Sequence, residues 1–389
     1  MKFDFDRVLD RRNTDSLKWD KYKGRDVLPL WVADMDFQAP PAVINALHKR
    51  VDDGIFGYAV PGDELVEVIV TRLWERYRWK IQPSWIVWLP GLVPALNVAC
   101  RTFGNDGDEV LTFTPVYPPF LSAPRLSGRK LKTIPLRREN DLYTFDVERF
   151  ESEISPRSKL FLLCNPHNPV GRRYNRKELE SIAGVCMRHS IVICSDEVHC
   201  DLVLDGGEHV PTATLSDEAA VNTVTLMSAS KTFNLPGLNC AFAVIANERL
   251  RKSFIGNRME VIPSANAMGY AACLAAYRDC EDWRIGLIDY LRSNRDIVYE
   301  FINDKIPRLS MDDVEATYLA WIDAGSLGVP APDRFFEQAG VGLSDGGNFQ
   351  GEGYVRLNFG CPRETLLKAL DRMKRAVAVS YTHLTLPTN

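Results

Sequence analysis

From about residue 85 to 250 the chain alternates short apolar, β-branched runs with segments of helical period. Residues 85–89, 109–113, 159–164, 191–195, 223–227 and 241–246 are near-continuous apolar runs, the pattern of strands covered on both faces. Between two of them, 177–189 sets Leu179, Ile182, Ala183 and Cys186 on one helical stripe. Strand, helix, strand in that order calls for a right-handed crossover, so a mostly parallel α/β sheet is expected. From about 280 the texture changes to a long helix over 283–304, a strand over 317–323, a glycine-rich loop over 340–353, a strand over 354–359 and a helix from Glu364. That order predicts a second, smaller α+β domain, with the first forty-odd residues packed beside it. The expected boundaries are 1–45 for an N-terminal arm, 46–280 for the large domain and 281–379 for the small one. The last helix keeps Leu366, Leu370, Met373 and Val377 in register; 380–389 shows no periodicity and reads as a disordered or non-native tail.

Composition narrows the partners. With 47 Lys+Arg against 51 Asp+Glu in 389 residues and no basic block, the chain offers no electrostatic grip for nucleic acid or an anionic membrane. Nine cysteines, odd in number, without a C-x-x-C and mostly inside apolar runs, read as buried hydrophobes in a reducing compartment. The N-terminal MKFDFDRVLDRR has no apolar signal core, and nowhere do 18 apolar residues run together, so the cytoplasm is the expected location. The His and Cys spacings fit no zinc pattern, and no metal is expected.

In open α/β sheets functional groups collect beyond the carboxyl ends of the strands. Four polar segments follow predicted strands: PGLVPALN (90–97), NPHNPVG (165–171), SDEVHCD (195–201) and SASKTFNLPGL (228–238). They would converge on one pocket. Lys231 stands where desolvation can lower an ammonium pKa until the amine becomes a nucleophile able to form a Schiff base, while the hydroxyls of Ser228 and Ser230 can bind a phosphate. Asp196, the first acid after a buried strand, can hold a protonated ring nitrogen. Gly91 precedes a predicted helix whose first amides, Leu92 and Val93, favour an anion. Asn168 offers a side-chain donor, Tyr117 a flat aromatic face, and Arg356 a bidentate clamp for a carboxylate. Plainer readings stand beside these: Asp196 as a helix cap, Asn168 as a turn former, Tyr117 as loop packing, Gly91 as a turn glycine, Arg356 as a strand-edge arginine.

Together with WVADMDF (31–37), FGYAVPGDEL (56–65) and VRLNFGCP (355–362), these motifs stand in the order of a known family. From Phe3 to about Val377 the chain resembles the fold-type I pyridoxal phosphate (PLP) enzymes of the class I/II aminotransferase superfamily, and within it the cystathionine beta-lyase group of carbon-sulfur lyases. The resemblance implies a fold-type I PLP-dependent transferase: a large domain on a mostly parallel, seven-stranded sheet and a smaller α+β domain. It implies Lys231 as the lysine that carries PLP, Asp196 as the partner of the pyridine nitrogen, Asn168 on the ring O3′ and Tyr117 stacked on the ring. The Leu92 and Val93 amides, with Ser228 and Ser230, would hold the phosphate. Tyr58 would reach the phosphate of the neighbouring subunit, making a homodimer with shared active sites. Arg356 would bind the α-carboxylate of an amino-acid substrate, with Ala33 and Asp34 at the entrance.

Two positions depart from the wider aminotransferase pattern. His199 stands where many aminotransferases have a Tyr three residues after the ring-nitrogen Asp, and Asn239 where many carry a phosphate-binding Arg eight residues after the lysine. Both look closer to the lyase group. His199 is expected near the cofactor pocket as a satisfied polar residue. The expected reaction is α,β-elimination from L-cystathionine or another cysteine S-conjugate to a thiol, pyruvate and ammonia. An aminotransferase, which shares the proton abstraction, stays open as the alternative. A non-catalytic module of this fold is the rival outside enzymes; against it stands the retention of Lys231, Asp196, Asn168 and Arg356.

Overall fold

The structure is a computed structural model that describes residues 3–385 except 140, 260 and 261, with side chains through Val379. Seven strands form the large sheet: β1 (Ile86–Leu89), β2 (Glu109–Thr114), β3 (Lys130–Pro135), β4 (Ser158–Cys164), β5 (Val192–Asp196), β6 (Thr223–Met227) and β7 (Ala241–Val244). Their spatial order is β1-β7-β6-β5-β4-β2-β3. Leu160, Leu162 and Cys164 of β4 belong to one apolar cluster, and Phe161 and Leu163 to another on the opposite face. Both faces are therefore covered, which is why these strands read as unbroken apolar runs. Helix α1 (Leu92–Thr102) contributes Leu96 to the first cluster, and α2 (Arg176–Arg188), opened by an Asn175/Glu178 capping box, contributes Ile182 to the second.

Strand β7 alone runs antiparallel to its neighbours β1 and β6, while the pairs among β2 to β6 are parallel. A parallel return needs a crossover, usually a helix. Residues 228–240 hold only single turns, so the chain doubles back and leaves the Lys231 segment at the carboxyl end of β6. Strand β3 is not among the apolar runs. Its sequence KLKTIP alternates lysine with apolar residues at the sheet edge, where charge protects an unpaired backbone.

A second sheet has four antiparallel strands, β8 (Ser310–Met311), β9 (Leu319–Asp323), β10 (Ser344–Asp345) and β11 (Tyr354–Asn358), in the order β8-β9-β11-β10. Helices α3 (Glu281–Lys305) and α4 (Arg363–Thr385) pack together beside it. The segment expected as a loop over 340–353 thus contains β10 and a 3-10 turn over Gly346–Phe349. Gly346 is required there, because a Cβ would overlap the carbonyl oxygens of Gly351 and Tyr354. The N-terminal arm joins this side of the molecule through a parallel pairing of Leu28–Pro29 with Val341–Gly342. Helix α4 continues past Val377 to Thr385, since an established helix gains one hydrogen bond for each residue it adds. Of the expected tail, 386–389 lie outside the described residues.

Beyond that pairing the arm forms a strap over residues 31–37, pinned by charge. Lys18 Nζ lies 2.8 Å from Asp36 Oδ2, while Arg11 Nη1 and Trp19 Nε1 approach Oδ1 at 2.7 and 2.9 Å. The side chains of Lys18 and Asp36 are buried. Asp36→Ala would take its nearest carboxylate from a buried ammonium, leaving it the Asp34 carboxylate at 3.7 Å and the Asp34 carbonyl, so a loss of up to about 3 kcal/mol is expected, read as a lower urea midpoint. All nine cysteines are buried free thiols, as their apolar settings predict. Among the described residues no helix is long and apolar enough to cross a membrane.

Candidate active site

A cavity of about 480 Å³ opens at the carboxyl ends of β1, β4, β5 and β6, a size suited to a small molecule. A larger groove of about 950 Å³ shares no residue with it; the arginines at its floor, Arg72 and Arg76, are already paired with Asp201 and Glu281. Volume therefore does not mark the reactive centre; unsatisfied chemistry does.

At one end of the smaller cavity Gly91 caps α1. Pro94 has no amide hydrogen, so Leu92 and Val93 supply the free first-turn donors, reinforced by the helix dipole. Ser228 and Ser230 face the same cavity with different commitments. Ser228 Oγ donates to the Cys240 carbonyl at 2.7 Å and accepts from the Ser230 amide at 3.0 Å, so it mainly shapes the loop. Ser230 Oγ makes no hydrogen bond among the described residues and is the hydroxyl left for an anion. Asn239, in a left-handed conformation (φ 52°), lines this end with a neutral side chain.

Asp196 ends β5 with Oδ1 accepting from the Val198 amide at 3.1 Å. Burial pushes its carboxyl up to about 7, against the pull of that hydrogen bond and of Lys231. Lys231 Nζ donates to the Ala33 carbonyl of the strap at 2.6 Å. Burial, helped by Arg356, lowers its ammonium to about 8, with Asp34 and Asp196 opposing. Tyr117 caps the helix Pro118–Leu126 and turns its half-buried ring to the cavity.

Arg356, on β11, is buried and has no acid partner among the described residues. Nη1 donates to Asn168 Oδ1 at 2.9 Å, Nη2 to the Trp31 carbonyl at 2.9 Å and to Ser344 Oγ at 3.3 Å, and Nε has no partner among the described residues. Burial lowers its pKa to about 10. A guanidinium can only donate, so the bond to Oδ1 fixes the Asn168 amide and leaves Nδ2 for the cavity.

Two expected residues, His199 and Asp34, sit differently. The His199 ring lines the cavity, but it is not the satisfied side chain expected, since its buried Nδ1 has no partner among the described residues. Burial, with the positive charges of Lys231 and Arg356, lowers its pKa to about 3 and keeps the imidazole neutral. Asp34 turns its carboxylate to Arg11 at 3.0 Å, and at the cavity wall the strap presents Ala33 instead. Tyr58 is fully exposed and lies outside its own chain's cavity.

Sequence reasoning missed the groups that assemble this site. Asn234, three residues after Lys231, holds the Met35 amide and the Met35 and Phe37 carbonyls, and Asn358 holds the Val32 and Asp34 carbonyls. Pro236, Cys240 and Val198 complete the wall. Asn234 and Val198 stand inside motifs already singled out, yet nothing in their spacing marks them.

The donors ask for a particular kind of guest. A buried carboxylate lacks a cation, a half-buried amine is poised to react, and a helix N-terminus stands free of an anion. A protonated pyridine ring bearing an aldehyde and a phosphate answers all three, so the residues fit PLP.

Over residues 25–373 the chain matches the family model for aminotransferase class I and II. It is similar to cystathionine beta-lyase PatB of Bacillus subtilis (strain 168), with 37% identity over 386 residues covering 96% of this chain and 100% of the relative. Among solved structures it is similar to OvoB, at 48% identity and a TM-score of 0.94 over 96% of this chain and 99% of that one. Cystalysin from Treponema denticola, solved with pyridoxal 5′-phosphate, gives 33% identity and a TM-score of 0.93 over 97% and 100% of the two chains.

Proposed function

The chain belongs to the aminotransferase class I and II family, and from that premise we propose that its cavity eliminates a thiol from L-cystathionine or another cysteine S-conjugate. The enzyme is a PLP-dependent β-lyase; its substrate and the roles of its residues are the proposal. When bound, PLP supplies the electron sink for negative charge at the substrate α-carbon.

The observation that carries this reading is the unpaired Arg356. A buried guanidinium without an acid is costly unless a carboxylate arrives with the substrate. Its remaining donor capacity would clamp the α-carboxylate, while its bond to Asn168 ties substrate binding to the donor aimed at the ring O3′. Asp196 would hold the proton on the ring nitrogen through a charge-assisted hydrogen bond. Tyr117 would stack on the ring. The Leu92 and Val93 amides and the Ser230 hydroxyl would bind the phosphate, with Ser228 holding that loop in shape.

Lys231, with a pKa of about 8, is largely neutral in mildly alkaline solution and is suited to take the α-proton. The Cβ–S bond then breaks with its electron pair on sulfur, the thiol leaves, and the remaining enamine is hydrolysed to pyruvate and ammonia. Ile55, Phe56, Tyr58 and Val60 are exposed on one loop, which supports a homodimer in which Tyr58 enters the neighbouring subunit's phosphate site. The free buried thiols favour a reducing, cytoplasmic setting.

Purified protein given PLP and L-cystathionine or S-methylcysteine, with no keto acid, is expected to release pyruvate and free thiol. Stoichiometric pyridoxamine phosphate without pyruvate would instead favour the aminotransferase.

A further inference from the structure

The Ala33 carbonyl receives two donors. Lys231 Nζ reaches it at 2.6 Å and the Tyr318 hydroxyl at 2.9 Å. Tyr318 is buried, with its ring edge-on to His199 at a centroid distance of 5.8 Å. The residue before it, Thr317, is also buried and holds φ at 79°, a left-handed conformation that is a genuine outlier for a β-branched side chain. The Thr317 amide is fixed to the Leu202 carbonyl and its hydroxyl accepts the Leu319 amide, so the surroundings override the strain and set the direction of Tyr318.

We propose that Tyr318 is a positioning residue for the catalytic lysine: its hydroxyl pins the Ala33 carbonyl as a fixed dock for the ε-amine and tunes how tightly that amine holds its proton. The inference rests on Lys231 being the cofactor lysine. Whenever the amine is engaged elsewhere, the buried carbonyl would be bare without Tyr318; with it, the acceptor is in place when the amine returns. A hydroxyl donated to a carbonyl also draws electron density from it. The oxygen then holds the ammonium form less firmly, and the amine gives up its proton more readily. The other charged or titratable groups around Nζ are Asp196 on β5, His199 in the turn after it, Arg356 on β11, and Asp34 on the strap with its partners Arg11 and Lys18. None of them donates to the Ala33 carbonyl.

The test uses the full chain with and without PLP. Tyr318→Phe keeps the ring and removes the donor. The acidic limb of the kcat profile of the holoenzyme and the pH midpoint of the rate at which the apoenzyme takes up PLP, both of which read the free amine, are expected to rise by about 0.5 to 1 pH unit, the worth of one hydrogen bond. Well below the midpoint kcat then falls roughly three- to tenfold, with KM staying within about twofold. Site-specific 2,3-difluorotyrosine in place of Tyr318, a stronger donor of nearly the same shape, is expected to move both midpoints down, and it carries the test if the phenylalanine variant does not fold. Unmoved midpoints overturn the inference and leave the lysine assignment intact. That assignment fails separately if Lys231→Ala holoenzyme keeps the wild-type visible absorption band.

Discussion

Lys231→Ala is expected to lower turnover of L-cystathionine by about 10²–10⁴-fold from the loss of proton transfer alone. Loss of the bond to PLP adds to that. The fold should survive. The lysine makes one hydrogen bond, to the Ala33 carbonyl, and that oxygen stays paired with Tyr318 after the substitution. Removing an ammonium whose pKa burial has already lowered also removes a desolvation penalty. The thermal midpoint should therefore hold or rise while activity collapses, and a small primary amine in the buffer should restore part of the rate. Wild-type turnover in this variant, or an unfolded chain, would contradict the assignment.

Arg356→Met should reduce kcat/KM by about 30- to 4,000-fold, because truncating one side of a buried, hydrogen-bonded charge pair costs about 2–5 kcal/mol. Arg356→Lys should recover little, since one ammonium cannot serve Asn168, the Trp31 carbonyl and a substrate carboxylate together. Substrate analogues without the α-carboxylate provide the internal control. Wild type should reject them strongly, and the methionine variant should barely distinguish them from the parent compounds. Equal discrimination by both proteins would remove the carboxylate role.

What could be read from sequence follows from what each residue depends on. Strands β4, β5 and β6 are legible because both their faces are covered, which forces continuous apolar runs. Lys231, Asp196 and Asn168 are legible because they stand at or just beyond the carboxyl ends of those strands, where such sheets place their chemistry. The reversal of β7 is not written in its own residues but in the shortness of the connection before it. Edge strand β3 hides behind its lysines. Tyr318 is invisible because its partner lies 285 residues away, and its aim is set by a strained neighbour whose conformation no pattern encodes. His199 fails in the opposite sense: a polar side chain beside the pocket is expected to be satisfied, and the packed turn leaves its Nδ1 buried without a partner among the described residues. The strap shows the same limit, since Asn234, Asn358, Arg11 and Lys18 hold it from four separate places in the chain.

The central claim is that one amine, at the carboxyl end of β6, carries the cofactor beside Asp196. Borohydride reduction of the holoenzyme followed by peptide mass spectrometry tests it directly. The phosphopyridoxyl mass should appear on the peptide containing Lys231 and on no other; its appearance on a different lysine, or on none, would contradict the account.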